Sequence, residues 1–242
     1  MSRPPGQLTP HGAARSGGAS AVDLASRLLR SVRRKPRLWE HEARIAFLGD
    51  GLGEGAPGTS YLSLLQRYVG GREWPTCGRD GDTVADLEAR IHAEGHGETD
   101  VAFLWTGAND AALGAWASYG DDPFEVVSWR DTLERISAAY ARLVGTVLAR
   151  ASRIVCVPPV APDPLELEWE QRVADVAELV RVAVASETRA ALLDLAPWFV
   201  DARARDWDEV RFTIDGVHLS PEGAAVVAEA FAAQLMAEAR GR

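Results

Sequence analysis

Arg44-Ile45-Ala46-Phe47-Leu48-Gly49-Asp50-Gly51-Leu52-Gly53-Glu54-Gly55 is the stretch that decides how this chain folds. Four apolar residues run into a glycine-rich turn, the pattern of a buried strand that stops abruptly. Working outward, further short apolar runs at 74–77, 101–105, 154–157 and 192–195 read as four more strands. Helical spacing predicts helices over 61–69, 84–91, 129–149, 169–190 and 221–237. The last has Ser220 as its N-cap and Pro221 at its first position. Strands that alternate with helices imply an α/β chain with a parallel sheet covered on both faces. In such sheets, ligands bind beyond the carboxyl ends of the strands.

The chain has 242 residues, 47% hydrophobic and 25% charged, which suits one domain with a full core. Residues 1–20 are rich in Gly, Pro, Ser and Ala and read as a disordered tail. Residues 21–38 read as a basic amphipathic helix and 39–242 as the single folded domain. Residues 1–40 hold eight basic and two acidic side chains, so the net charge of −9 leaves −15 for the remainder. An acidic body excludes a nucleic-acid surface of the usual kind. No apolar run approaches the ~20 residues of a membrane span, and no signal-type segment opens the chain, so a cytoplasmic protein is expected. Two cysteines, Cys77 and Cys156, make no disulfide framework and read as small buried residues.

Four strand-end segments carry the chemistry. Asp50-Gly51 follows the first strand, and Gly78-Arg79-Asp80-Gly81-Asp82-Thr83 the second. Thr106-Gly107-Ala108-Asn109-Asp110 follows the third, and Asp215-Gly216-Val217-His218 precedes the last helix. An imidazole, a carboxylate three residues before it, a carboxamide and glycine backbones at one sheet edge are what acyl transfer needs. His218 reads as a general base and Asp215 as the group that fixes its tautomer. The N–H groups of Gly51 and Gly81 and the Asn109 amide can point at a developing oxyanion.

These four blocks resemble the SGNH hydrolases, also called the GDSL family, over about residues 44 to 237. The resemblance implies a three-layer α/β/α sandwich with a five-stranded parallel sheet of flavodoxin-like type. It implies hydrolysis or transfer of acyl groups on esters, thioesters, lipids or acetylated sugars, without a cofactor or metal. Family roles fall on Gly81 and Asn109 as oxyanion donors, His218 as base and Asp215 as its orienter. The family's nucleophilic serine position is Gly51. Three readings follow: an engineered loss of serine, a natural catalyst with no covalent step, or a non-catalytic binding module. Ser60 and Ser220 read as helix caps rather than as replacement nucleophiles.

Rival patterns are weaker. Gly51-Leu52-Gly53-Glu54-Gly55-Ala56 fits a dinucleotide fingerprint, with Asp80 as a substitute for the ribose-binding acid, but leaves Asn109 and His218 unexplained. His92 and His96 lack further metal ligands and read as a solvated helix end. Asp50, Trp116 and Trp207 are candidate substrate-binding residues, and Tyr119, Phe124 and Phe212 could add apolar walls. The expected partner is a small acyl or ester substrate. Oligomeric state is not encoded in any pattern of the sequence.

Overall fold

The computed structural model describes residues 43–53, 55, 57–69, 74–113, 128–206 and 210–240. The expected tail over 1–20 and basic helix over 21–38 lie outside them. Five parallel strands form one sheet in the order β2-β1-β3-β4-β5. They are β1 (Ile45–Gly49), β2 (Thr76–Cys77), β3 (Thr99–Trp105), β4 (Ala151–Val157) and β5 (Ala190–Leu192). The helices are α1 (Tyr61–Val69), α2 (Val84–Glu94), α3 (Ala108–Leu113), α4 (Trp129–Leu148), α5 (Leu167–Ala185), α6 (Ala196–Asp206) and α7 (Pro221–Arg240).

Alternation along the central strands builds two cores. Phe47, Phe103, Trp105, Val155 and Val157 face one side, against Tyr61, Leu65, Phe199 and Phe231 of α1, α6 and α7. Ala46, Leu48, Ala102, Leu104, Ile154 and Cys156 face the other, against Leu87, Ile136, Leu143 and Val176 of α2, α4 and α5. The result is the expected α/β/α sandwich. Strands buried on both faces read as continuous apolar runs, which is why β1, β3 and β4 were visible from sequence. Among the described residues no helix is long and apolar enough to cross a membrane.

The departures are at the sheet's edges. The fifth strand is Ala190–Leu192 rather than 192–195. Leu193 and Leu195 are buried, but Asp194 between them pairs with Arg181 and accepts the Ala196 N–H, so it begins α6 instead of extending the sheet. The preceding helix stops at Ala185, where the Ser186 N–H and hydroxyl both turn back to the Ala183 carbonyl. Helices α3 and α6 were not anticipated. Six residues are too few to show a period, and α6 mixes Pro197 with a run of charges.

Candidate active site

The turn that holds His218 is braced from below. The N–H and hydroxyl of Thr213 both donate to Asp163 Oδ2, and Arg203 donates to Asp163 Oδ1 at 2.6 Å. A bridge from Thr213 to Leu219 closes the turn, and the Ile214 N–H donates to the His218 carbonyl. Within it, Asp215 Oδ1 accepts the N–H groups of Val217 and His218 at 3.0 and 2.8 Å. Its Oδ2 accepts the ring Nδ1–H of His218 at 2.7 Å. Those bonds hold Asp215 below the ordinary carboxylate range although desolvation pulls the other way. They also fix the His218 tautomer and leave Nε2 to face the sheet edge.

Nε2 points to the loop after β2, where Asp80 Oδ1 lies 3.4 Å away. Desolvation lowers the imidazole's pKa, but the hydrogen bonds and charges of Asp215 and Asp80 outweigh it, and the net direction is up. This second loop is held by Asp82, whose Oδ2 accepts the Arg79 N–H at 2.8 Å. Arg90 grips both oxygens of Asp82, Nε to Oδ2 at 2.8 Å and Nη2 to Oδ1 at 2.6 Å. Thr83 then caps α2 in a reciprocal capping box with Asp86. Gly81 has φ of +84°, a left-handed turn conformation that suits glycine and shapes this edge.

Gly51 and Asp80 pack against each other with no room to spare. Gly51 is buried in a single 3-10 turn, Gly51–Gly53, directly after β1. A Cβ added to it would lie 2.6 Å from the Asp80 Cα, 2.7 Å from its Cβ and 2.9 Å from its backbone nitrogen. The space that a side chain at position 51 would enter is filled by Asp80 itself.

Asn109, in the first turn of α3, donates from Nδ2 to the Asp82 carbonyl at 3.0 Å, which joins the loop after β3 to the one after β2. The four segments therefore meet: Asp215 with His218, His218 with Asp80, Asp80 with Gly51, and Asp82 beside Gly81 with Asn109. Two buried carboxyls lie beneath. Asp50 accepts the Leu52 N–H at 3.3 Å, and burial pushes it up to about 7. Asp110 accepts the Val84 N–H and is likewise pushed up to about 7, mainly by burial.

Other expected residues fall elsewhere. Trp116, Tyr119, Phe124 and Trp207 lie outside the described residues. Phe212 is fully buried against Phe199 and under Arg203, a core residue rather than a pocket wall. Ser60 and Ser220 act as caps, accepting the Ser63 and Gly223 N–H groups. His92 is exposed, but His96 is buried, correcting the expectation of a solvated helix end. Gly95 ends α2 with φ of +73°, turning the chain back so that His96 folds under it. No cluster of three or more metal-binding side chains occurs among the described residues.

Sequence alone did not point to Asp80 as a partner of His218, to Arg90, or to Trp169. Trp169, Leu52, Trp105, Leu165 and Val217 line a narrow apolar recess beside the His218 turn. The indole Nε1 of Trp169 is buried without a hydrogen-bond partner.

A model of the GDSL-like Lipase/Acylhydrolase family matches residues 47–226, about three quarters of the chain. The chain belongs to that family. No curated protein sequence matches it. Among solved structures it is similar to LAE5, an alpha/beta hydrolase enzyme from the metagenome of Lake Arreo, Spain. That pair has 20% identity and a TM-score of 0.64 over 82% of this chain and 97% of that one. It is also similar to Axe2, an acetylxylan esterase from Geobacillus stearothermophilus, with 20% identity and a TM-score of 0.59 over 80% and 94%. The acetyl xylan esterase AlAXEase follows at 18% identity and 0.56 over 79% and 98%. At these identities the structural likeness establishes a shared fold.

Proposed function

We propose that the chain hydrolyses small acyl esters at the edge where His218 and Asp215 meet Gly81 and Asn109, with water rather than a serine as the attacking group. One observation carries the reading. The His218 ring is locked by Asp215 at 2.7 Å on Nδ1 and turns Nε2 to Asp80, the residue packed on Gly51, which leaves it open to act as a general base. The base takes a proton from water. The Gly81 N–H and the Asn109 amide stabilise the oxyanion, and the protonated ring returns the proton to the leaving alcohol.

The packing of Asp80 on Gly51 supports a site built around glycine over one that has merely lost a serine. The small recess lined by Leu52, Trp105 and Trp169 favours a short acyl group. Acetylated sugars are a fitting class, since similar structures include acetylxylan esterases. Two free, buried cysteines fit a cytoplasmic setting. The dinucleotide alternative gains little: Gly51–Gly53 forms its own turn, the next helix begins only at Tyr61, and Asp80 faces His218. A pure binding module leaves the Asp215–His218 pair without a task.

Hydrolysis of p-nitrophenyl acetate tests the reading. Wild-type protein is expected to exceed the buffer rate, and His218→Ala to lose roughly 10²–10⁴ of it. Wild-type protein no faster than buffer, or an unaffected His218→Ala variant, ends the proposal.

A further inference from the structure

Asp80 fills the place that a side chain at position 51 would enter and reaches from there to the base. At one end its Cα and Cβ stand 2.6 and 2.7 Å from where a Cβ on Gly51 would be. At the other its Oδ1 lies 3.4 Å from Nε2 of His218, the nitrogen that must collect the proton. The side chain is 57% exposed, so its carboxylate faces the solvent edge where a substrate arrives. The neighbouring Asp82–Arg90 clamp holds the Arg79 N–H on the same loop, one residue before Asp80.

We propose that Asp80 is a catalytic residue: its carboxylate and His218 Nε2 together hold the water that attacks the acyl carbon. This rests on the hydrolase reading above. Water has two protons to donate, and two acceptors 3.4 Å apart can both be reached from one point at about 2.8 Å from each. Held so, the water's lone pairs face outward to the substrate. In the step, the water oxygen bonds to the acyl carbon, one proton passes to Nε2, and the carbonyl pair moves onto oxygen. Collapse breaks the bond to the leaving oxygen, which takes the proton from Nε2. Asp80 only accepts a hydrogen bond and takes no proton in the step, so the alcohol and acid account for the ester and one water. A serine does this work in the resembling family by covalent attack. Here the same place in space is occupied by an acceptor, and the chemistry becomes direct.

The charged groups acting on His218 are Asp215 from its own turn, Asp80 from the loop after β2 and Asp50 from the end of β1. Removing the charge at Asp80 therefore has a second consequence beyond loss of the water. Asp80→Asn is expected to lower kcat on p-nitrophenyl acetate at least tenfold with KM little changed. It should also move the acidic limb of kcat/KM to lower pH, because a carboxylate that favours the protonated ring is gone. The unfolding midpoint should stay put, since the side chain is exposed. Asp80→Glu, which keeps the charge on a mobile exposed stem, should recover part of the rate. A wild-type rate in Asp80→Asn, or a slower rate with the acidic limb unmoved, overturns the proposal. So does ¹⁸O found in the Asp80 carboxylate after turnover in H₂¹⁸O, which would make it a covalent nucleophile. If His218→Ala kills turnover and Asp80→Asn does not, only this inference falls. If His218→Ala is silent, the hydrolase reading itself falls.

Discussion

Two loops face the imidazole of His218, and they are made by opposite means. Asp215 reaches the ring from three residues away, and the N–H groups of Val217 and His218 fix its carboxylate. Asp80 reaches it from 138 residues away, on a loop that Asp82 and Arg90 hold in place. The first is set by hydrogen bonds within one turn. The second exists only once β1 and β2 are side by side. The orientation of the base is thus local and robust, while what stands opposite it depends on the assembled sheet.

Breaking the local half should have the largest effect. Asp215→Asn keeps the shape but cannot hold an imidazolium, and kcat is expected to fall roughly 10²–10⁴-fold. The acidic limb of the rate should move down in pH, because Asp215 is a principal cause of the raised His218 pKa. Rate measurements across pH check both. A small loss of rate would mean that the ring is held by the turn alone and that Asp215 matters little to the chemistry.

Breaking the long-range half should cost stability before it costs rate. Arg90→Ala leaves Asp82, only 8% exposed as a side chain, without its cation. Loss of one member of a largely buried pair costs about 3 kcal/mol, and denaturant unfolding would show it. The loop carrying Asp80 and Gly81 should loosen with it, with a fall in kcat of about tenfold, the lower end for misplaced catalytic groups.

Gly51→Ser probes the contact between the two halves. Two of the Asp80 atoms in the way are backbone, so the loop must move to admit a Cβ. Overpacking of this kind costs about 1–3 kcal/mol. Esterase activity should not rise, since the new hydroxyl displaces Asp80 from His218 without a prepared place of its own. A large gain in p-nitrophenyl acetate hydrolysis would show instead that the loop yields freely and that the site still accepts a serine mechanism.

Which parts were legible in the sequence follows the same division. β1, β3 and β4 announced themselves as apolar runs, and the Asp215-His218 spacing announced a dyad, because both are local patterns. Asp80 gave no such sign. An acid in a Gly-Arg-Asp-Gly turn looks solvated, and its meeting with His218 depends on β2 pairing with β1, through only Phe47 with Thr76 and Leu48 with Cys77. The shift of β5 to Ala190–Leu192 has the same origin: Asp194 chose Arg181 of a packed helix over the strand its apolar neighbours suggest. His96 was misjudged because the glycines beside it turn the chain inward rather than merely ending a helix.

The smallest expected effect lies at the base of the long-range half. Asp110 is fully buried and accepts the Val84 N–H, so it pins the start of α2, the helix that follows the Asp80 loop. Burial raises its carboxyl from 3.8 to about 7, against the pull of the Val84 N–H. A raised folded value means that stability is fully present below the unfolded value and is lost as pH climbs through the folded one. The folded chain keeps a proton between about 4 and 7 that the unfolded chain has released. Asn at this position cannot ionise, yet its carbonyl still accepts the Val84 N–H. Asp110→Asn should therefore match wild type near pH 4 and gain with rising pH, levelling off above 7. A gain of at least about 1 kcal/mol at pH 8, or roughly 2–4 °C in melting temperature, is expected. Paired melting curves at pH 4 and 8 measure it. A loss at pH 8 would mean that the ionised carboxylate is itself the peg, held by the Val84 N–H strongly enough to repay its burial, and the support of the Asp80 loop would then be electrostatic rather than neutral.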